Sequence, residues 1–163
     1  MIEDTAQAEL EAIISRASAT GLRWSQQRSQ LVLDEKSAGQ FASNADMEIE
    51  QQIRNELARS FPSKAIIGEE MGGDLGPNMS GWAIDPIDGT SNFILGLPIW
   101  GISIGYVEAG RSVLGAIALP EQGLTLSAAQ GSGLRVNAEL TRITQRSPEV
   151  KVIALGENDF ESG

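Results

Sequence analysis

Two aspartates, Asp85 and Asp88, stand three positions apart at the end of an apolar run that begins at Trp82. Pro86 lies between them, and Gly89, Thr90, Ser91, Asn92 and Phe93 follow at once. Carboxylates are hard oxygen donors. A proline-stiffened turn at the end of a strand holds two of them more rigidly than a loop would, which suits a divalent cation. Gly89 allows a ligand close to the backbone. Thr90, Ser91 and Asn92 supply hydroxyl and N–H groups where a short helix can begin, and the first N–H groups of a helix attract anions. Cation ligands and an anion seat thus fall within about three residues of each other, the proximity that a metal-bridged phosphate requires. Paired aspartates beside Gly and Pro are also ordinary turn residues, so the pair gains weight only from acids elsewhere.

Two further segments supply them. Ala65-Ile66-Ile67 is a short apolar strand that ends in Gly68, Glu69 and Glu70. Two strands of one sheet that both end in acids can converge on a cation pair. Carboxylates pressed together without counter-charge would otherwise repel and raise one another's pKa. The segment Ser43 to Ser60 reads as a helix, with Ile49, Ile53 and Leu57 as its apolar stripe. Asp46 lies three positions before Ile49 and falls on the same inward face. Ser43 with Asp46 is also a variant capping box, and both readings stand from sequence alone.

With these residues in view, the chain resembles the inositol monophosphatase family of metal-dependent, lithium-sensitive phosphatases. The matching stretches are Gly68-Glu69-Glu70 and Asp85-Pro86-Ile87-Asp88-Gly89-Thr90-Ser91-Asn92-Phe93, with Asp46 and, ten residues earlier, Lys36. Gly101 to Gly105, Gly115 to Pro120, and Gly131-Ser132-Gly133 with Asn137 continue the pattern to about residue 145. The resemblance implies that Glu69, Asp85 and the Ile87 carbonyl hold one Mg²⁺, and that Asp85 and Asp88 hold a second. Two or three ions fill the complete family site, with Mn²⁺ as a substitute. It implies that Thr90 pairs with Asp46 and, with Glu69, polarises the attacking water. The N–H groups of Gly89, Thr90 and Ser91 would receive the phosphate. The implied activity is hydrolysis of small alcohol phosphates such as inositol monophosphate. Histidinol phosphate and adenosine 3′,5′-bisphosphate are alternatives within the family, and a truncated, non-catalytic regulatory relative is another.

The family's second half carries a W-D-x-A-G-like motif whose Asp completes the second metal site. This sequence has no such motif. Asp159, in Glu157-Asn158-Asp159-Phe160, lacks the context and is not given the role. Residues 1–145 are therefore expected to form the family's first, metal-binding domain. Residues 146–163 are expected to begin a second one, with Val150 to Leu155 as its first strand.

Composition narrows the chemistry. The chain has 163 residues with no Cys and no His, so any metal site in it uses oxygen alone, which favours Mg²⁺ or Mn²⁺ over Zn²⁺. A net charge of −10 opposes binding to nucleic acid or an anionic membrane through a bulk field. An acidic chain that handles phosphate needs cations as intermediaries. The acidic N-terminus does not read as a signal peptide, no apolar run approaches a membrane span, and a cytoplasmic location is expected. A homodimer is expected from the resemblance. The aspartates are three apart, not two, so a D-x-D-x-T aspartyl nucleophile is not favoured. No G-x-x-x-x-G-K-[ST] loop is present, and the acid spacing does not fit a twelve-residue EF-hand loop.

The elements that must position these residues follow from periodicity. Thr5 to Gln26 reads as a helix with Leu10, Ile13, Ile14 and Ala17 on one face, ended or weakened at Gly21. Leu31 to Glu35 reads as extended, Lys36 to Ser43 as a loop, and Asn44 to Ser60 as the second helix. Strands are expected at Ala65 to Ile67, Gly81 to Ile84, Ile99 to Val107, Ser112 to Ala118, Gly123 to Ala129 and Gly133 to Val136. Turns fall at Glu108 to Arg111 and Glu121 to Gly123, and Met71 to Ser80 is a loop. Trp82 and Trp100 are read as packing residues. The fold class is α+β: two helices packed on an antiparallel sheet. The resemblance makes this the first half of a layered αβαβα sugar-phosphatase-type fold.

Overall fold

The structure is a computed structural model and describes residues 2–37 and 40–141. The domain boundary expected at 145/146 and the strand expected at Val150 to Leu155 lie outside the described residues.

Helix α1 spans Ile2–Gln26 and helix α2 spans Asn44–Ser60. Each is amphipathic at helical spacing: Leu10, Ile13, Ile14 and Ala17 of α1 and Ile49, Ile53 and Leu57 of α2 are fully buried. The expected stop at Gly21 does not occur. A Cβ at this position would lie 2.7 Å from Cη2 of Trp100, so the glycine makes room for the indole and the helix runs on to Gln26.

Strands β1 (Leu33–Ser37) and β2 (Gln40–Ser43) form a separate antiparallel pair before α2. This corrects the loop expected from Lys36 to Ser43. The backbone pairing of Asp34 with Ala42 and Glu35 with Phe41 makes a strand of a segment too polar to announce one. The remaining strands are β3 (Ala65–Gly68), β4 (Gly81–Asp88), β5 (Gly101–Glu108), β6 (Arg111–Leu119), β7 (Leu124–Ala129), β8 (Gly133–Val136) and β9 (Glu139–Thr141). They make one sheet in the order 3-4-5-6-7-8-9. All neighbours are antiparallel except β3 and β4, which run parallel. That parallel pair sends β3 and β4 toward the same end of the sheet, and residues 69–80 make the return. Strand β9 had no signal in the sequence.

Both long helices pack on the sheet, α1 over β5 to β7 and α2 over β4. The core between the layers holds Trp82, Ile84, Ile87, Ile102, Ile104, Ala116 and Ala118. Each fully buried Ile contributes about 2 kcal/mol of hydrophobic stabilisation. Trp82 lies between Phe61 and Tyr106, with ring centroids 4.8 and 5.0 Å away. Trp100 meets Phe93 edge-on at 4.9 Å. The expectation of packing roles for both tryptophans holds. Among the described residues no helix is long and apolar enough to cross a membrane.

Candidate metal centre

Asp85 and Asp88 do not sit in a turn after the strand, as expected, but within β4 itself, which runs through Pro86 and Ile87 to Asp88. Asp85 pairs with Ser103 and Asp88 with Gly101, so three steps along β4 match two along β5. This is a β-bulge, and it resets the side-chain alternation. In an unbulged strand, residues three apart point to opposite faces. Here Ile84 and Ile87 both enter the core, at 5% and 1% exposure, while Asp85 and Asp88 share the other face. Pro86 suits the bulge because it has no N–H to give to a ladder.

On its other side, β4 loses its neighbour at the same place. Strand β3 stops at Gly68, opposite Ile84, and the Glu69 N–H reaches the Ile84 carbonyl at 3.1 Å. Glu69 and Glu70 therefore turn over the end of β4 beside Asp85. Asp85 shares a hydrogen bond with Glu69 and feels the charges of Glu69, Asp88 and Asp46. Desolvation by burial comes first, followed by this repulsion, and together they push Asp85 up to about 7.

Asp46 approaches from α2. It is 1% exposed. Its Oδ2 accepts from the Ser43 N–H at 2.9 Å and from the Ser43 hydroxyl at 2.6 Å, and Ser43 Oγ in turn accepts from the Ala45 N–H at 3.2 Å. The capping box is real, and it occupies one carboxylate oxygen. The other, Oδ1, is buried with no hydrogen-bond partner. Burial outweighs the Ser43 bonds, and with the Glu70 charge it pushes Asp46 up to about 6.

Helix α3 spans Thr90–Leu95. Gly89 precedes it at φ 85°, a left-handed backbone that favours glycine, and a Cβ there would lie 3.2 Å from the Ile99 carbonyl. The helix ladder starts with Phe93 N–H on the Gly89 carbonyl, so the amides of Thr90 and Ser91 are not used by it. The Thr90 hydroxyl donates to the Ile87 carbonyl at 2.9 Å. Its single proton is therefore not on Asp46, and the expected Thr90–Asp46 hydrogen bond gives way to this local one. The Ile87 carbonyl keeps a second lone pair. The side chain of Lys36 is outside the described residues.

Asp46, Glu69, Asp85 and Asp88 thus meet at one end of the sheet, from α2, the end of β3 and β4. They converge without closing: among the described residues no three acids are drawn together tightly enough to ligate an ion as they stand. The donor chemistry fits a hard divalent cation all the same. Asp85 Oδ1, like Asp46 Oδ1, is buried with no hydrogen-bond partner, in a cluster whose charges repel. A cation supplies the missing partner and removes the repulsion. Away from the helices, the sheet borders a cavity of 980 Å³ lined by Asp85, Ser103, Gly105, Gly115, Ile117 and Leu126.

Sequence reading missed Glu50. Its carboxylate is fully buried and accepts from the N–H groups of Glu70 at 2.8 Å and Met71 at 3.2 Å, and from Arg54 Nε at 2.8 Å. The available signals were the four-residue spacing from Asp46 and a glycine at 68, where a Cβ would stand 2.1 Å from Glu50 Oε1.

Known proteins are similar to this chain in fold and in sequence. A family model described as "Inositol monophosphatase family" matches residues 3–159. A fructose-1,6-bisphosphatase/inositol-1-monophosphatase of Thermotoga maritima is 38% identical over 115 residues, 69% of this chain and 44% of that protein. A histidinol-phosphatase of Chlorobaculum parvum is 37% identical over 116 residues, 71% of this chain and 41% of that protein. Among solved structures, the extragenic suppressor protein suhB of Bartonella henselae superposes with a TM-score of 0.80 at 27% identity, covering 87% of this chain and 55% of that one. The chain spans about half the length of the relatives it matches.

Proposed function

The chain belongs to the inositol monophosphatase family, and on that premise we propose that it is the metal-binding half of a Mg²⁺-dependent phosphomonoesterase acting on small alcohol phosphates. The observation that carries this reading is the convergence of Glu69, Asp85 and Asp88 beside Asp46, with two buried carboxylate oxygens lacking any donor. In this reading Glu69, Asp85 and the Ile87 carbonyl would hold one cation, and Asp85 and Asp88 a second. When bound, the cations would supply Lewis acidity toward the phosphate and lower the pKa of a water.

The protein's own groups do the rest. Gly89, Thr90 and Ser91 present main-chain N–H groups to the phosphate oxygens. Glu69 holds the proton of the attacking water. The Thr90 hydroxyl, which donates to the Ile87 carbonyl here, would leave it to pair with Asp46 and help polarise the water. Asp46 stays fixed at the α2 cap by Ser43.

The two relatives described above are almost equally identical to this chain yet are named for different substrates. The shared half therefore fits a common catalytic apparatus, with substrate choice left to residues beyond it. Inositol monophosphate heads the proposal, with histidinol phosphate and adenosine 3′,5′-bisphosphate behind it. A homodimer and inhibition by lithium belong to the same proposal. In the full-length protein, Asp88→Asn is expected to abolish Mg²⁺-stimulated phosphate release from these esters. Unchanged turnover would refute the mechanism.

A further inference from the structure

Glu50 is an acid at zero exposure that stands apart in role from the four converging acids, because its carboxylate is taken up by donors. Its three donors all lead to one place. Glu70 N–H and Met71 N–H belong to the turn that follows β3, and Arg54 holds the same turn. The guanidinium gives Nε to Glu50 and Nη2 to the Gly72 carbonyl, with Nη1 3.5 Å from the Ile66 carbonyl. Gly68 N–H closes on the Gly72 carbonyl at 3.0 Å from the other side. The turn carrying Glu69 is therefore fastened from below by two residues of α2, one helical turn and two turns after Asp46.

We propose that Glu50 and Arg54 are a positioning clamp that fixes the Glu69 turn on the helix that also carries Asp46, and thereby sets the affinity of the acid cluster for divalent cations. The inference rests on the proposed cation site. A carboxylate at the end of a free turn would lose entropy each time it gathered round an ion. A turn already tied by two main-chain N–H groups and an arginine fork has lost that freedom beforehand. Gly68 is part of the device, since a side chain there would occupy the place of the Glu50 carboxylate. Neither clamp residue touches the ion, so both act through Glu69.

The test uses the full-length protein with Mn²⁺ as the probe, free ion being read by electron paramagnetic resonance. Melting in excess chelator reports the fold separately. Four proteins are compared: the parent, Asp88→Asn, Glu50→Gln and Arg54→Met. The glutamine puts an N–H₂ against one of the donors that Glu50 receives. The methionine keeps the packing of the Arg54 stem, which is 18% exposed, and removes its fork. Both variants are expected to melt cooperatively in chelator and to bind Mn²⁺ about tenfold more weakly, the usual size of an outer-shell effect. Amide exchange at Glu70 and Met71 should quicken in both. If Glu50→Gln fails to fold, Arg54→Met decides alone. A lower melting temperature with unchanged Mn²⁺ affinity overturns the clamp and leaves Glu50 a purely structural residue. If Asp88→Asn loses Mn²⁺ while both clamp variants keep parental affinity, the cation site stands and the clamp falls. If the parent itself takes up no Mn²⁺, the site falls and the clamp with it.

Discussion

Glu50 and Asp85 are acids on either side of the same turn, and the fold treats them in opposite ways. Glu50 is buried completely and surrounded by donors: two main-chain N–H groups and an arginine. Asp85 is less buried, yet one of its oxygens has no partner, and among the described residues the charges that act on it are those of Glu69, Asp88 and Asp46. Burial alone does not mark a functional carboxylate. A buried acid with its lone pairs satisfied is part of the scaffold. A buried acid left without donors is a standing cost that a ligand can remove.

Replacing each residue should push stability in opposite directions. Glu50→Ala strands a largely buried guanidinium and two amides, and should destabilise the metal-free protein by about 3 kcal/mol in chemical denaturation. Asp85→Asn relieves repulsion, and should raise the melting temperature in chelator while removing the protection that Mg²⁺ gives the parent. A loss of stability in both variants would break the contrast.

Gly68→Ala comes next. Its Cβ meets the Glu50 carboxylate at 2.1 Å, and overpacking of this kind costs about 2 kcal/mol. In a Glu50→Ala background the same change should cost little, because all three nearest atoms belong to Glu50. A double-mutant cycle measures the difference. Ser43→Ala is smaller, at about 1 kcal/mol for the lost α2 cap, and it should raise Asp46 further by removing the hydroxyl donor while the main-chain N–H of position 43 stays.

A further effect is on pH. Asp46 near 6 and Asp85 near 7 bind protons more tightly in the folded chain than in the unfolded one. The folded state keeps those protons at pH values where the unfolded state has released them, so raising the pH through this range costs stability. Metal-free protein should melt higher at pH 5.5 than at pH 8, Asp85→Asn should flatten the slope, and Mg²⁺ should cancel it at pH 8.

The stripes Leu10-Ile13-Ile14-Ala17 and Ile49-Ile53-Leu57 made both long helices legible, because each apolar residue on them had only the core to enter. The acids of the site were legible as a set for a related reason: nothing in a core asks for Glu69, Asp85 and Asp88. What sequence could not show was register. The bulge that puts Asp85 and Asp88 on one face depends on pairing with Ser103 and Gly101, and no local signal carries it. The parallel pairing of β3 with β4 is equally non-local. Glu50 and Arg54 stand four positions apart on α2, and only the non-local placement of the Glu69 turn buries the pair. The hydrogen bond of the Thr90 hydroxyl to a carbonyl three residues back was equally invisible, since it depends on the local path of the chain after the bulge.

Strand β3 ends at Gly68, whereas β4 continues to Asp88, so among the described residues no strand covers that last stretch of β4 on the β3 side. A bare strand edge invites a strand from another molecule, and flanking negative charge is a common deterrent. The acids that would gather cations would also oppose edge-to-edge aggregation at that stretch. Concentrated Asp85→Asn/Asp88→Asn protein should scatter more light on storage than the parent, even where its fold is the more stable of the two.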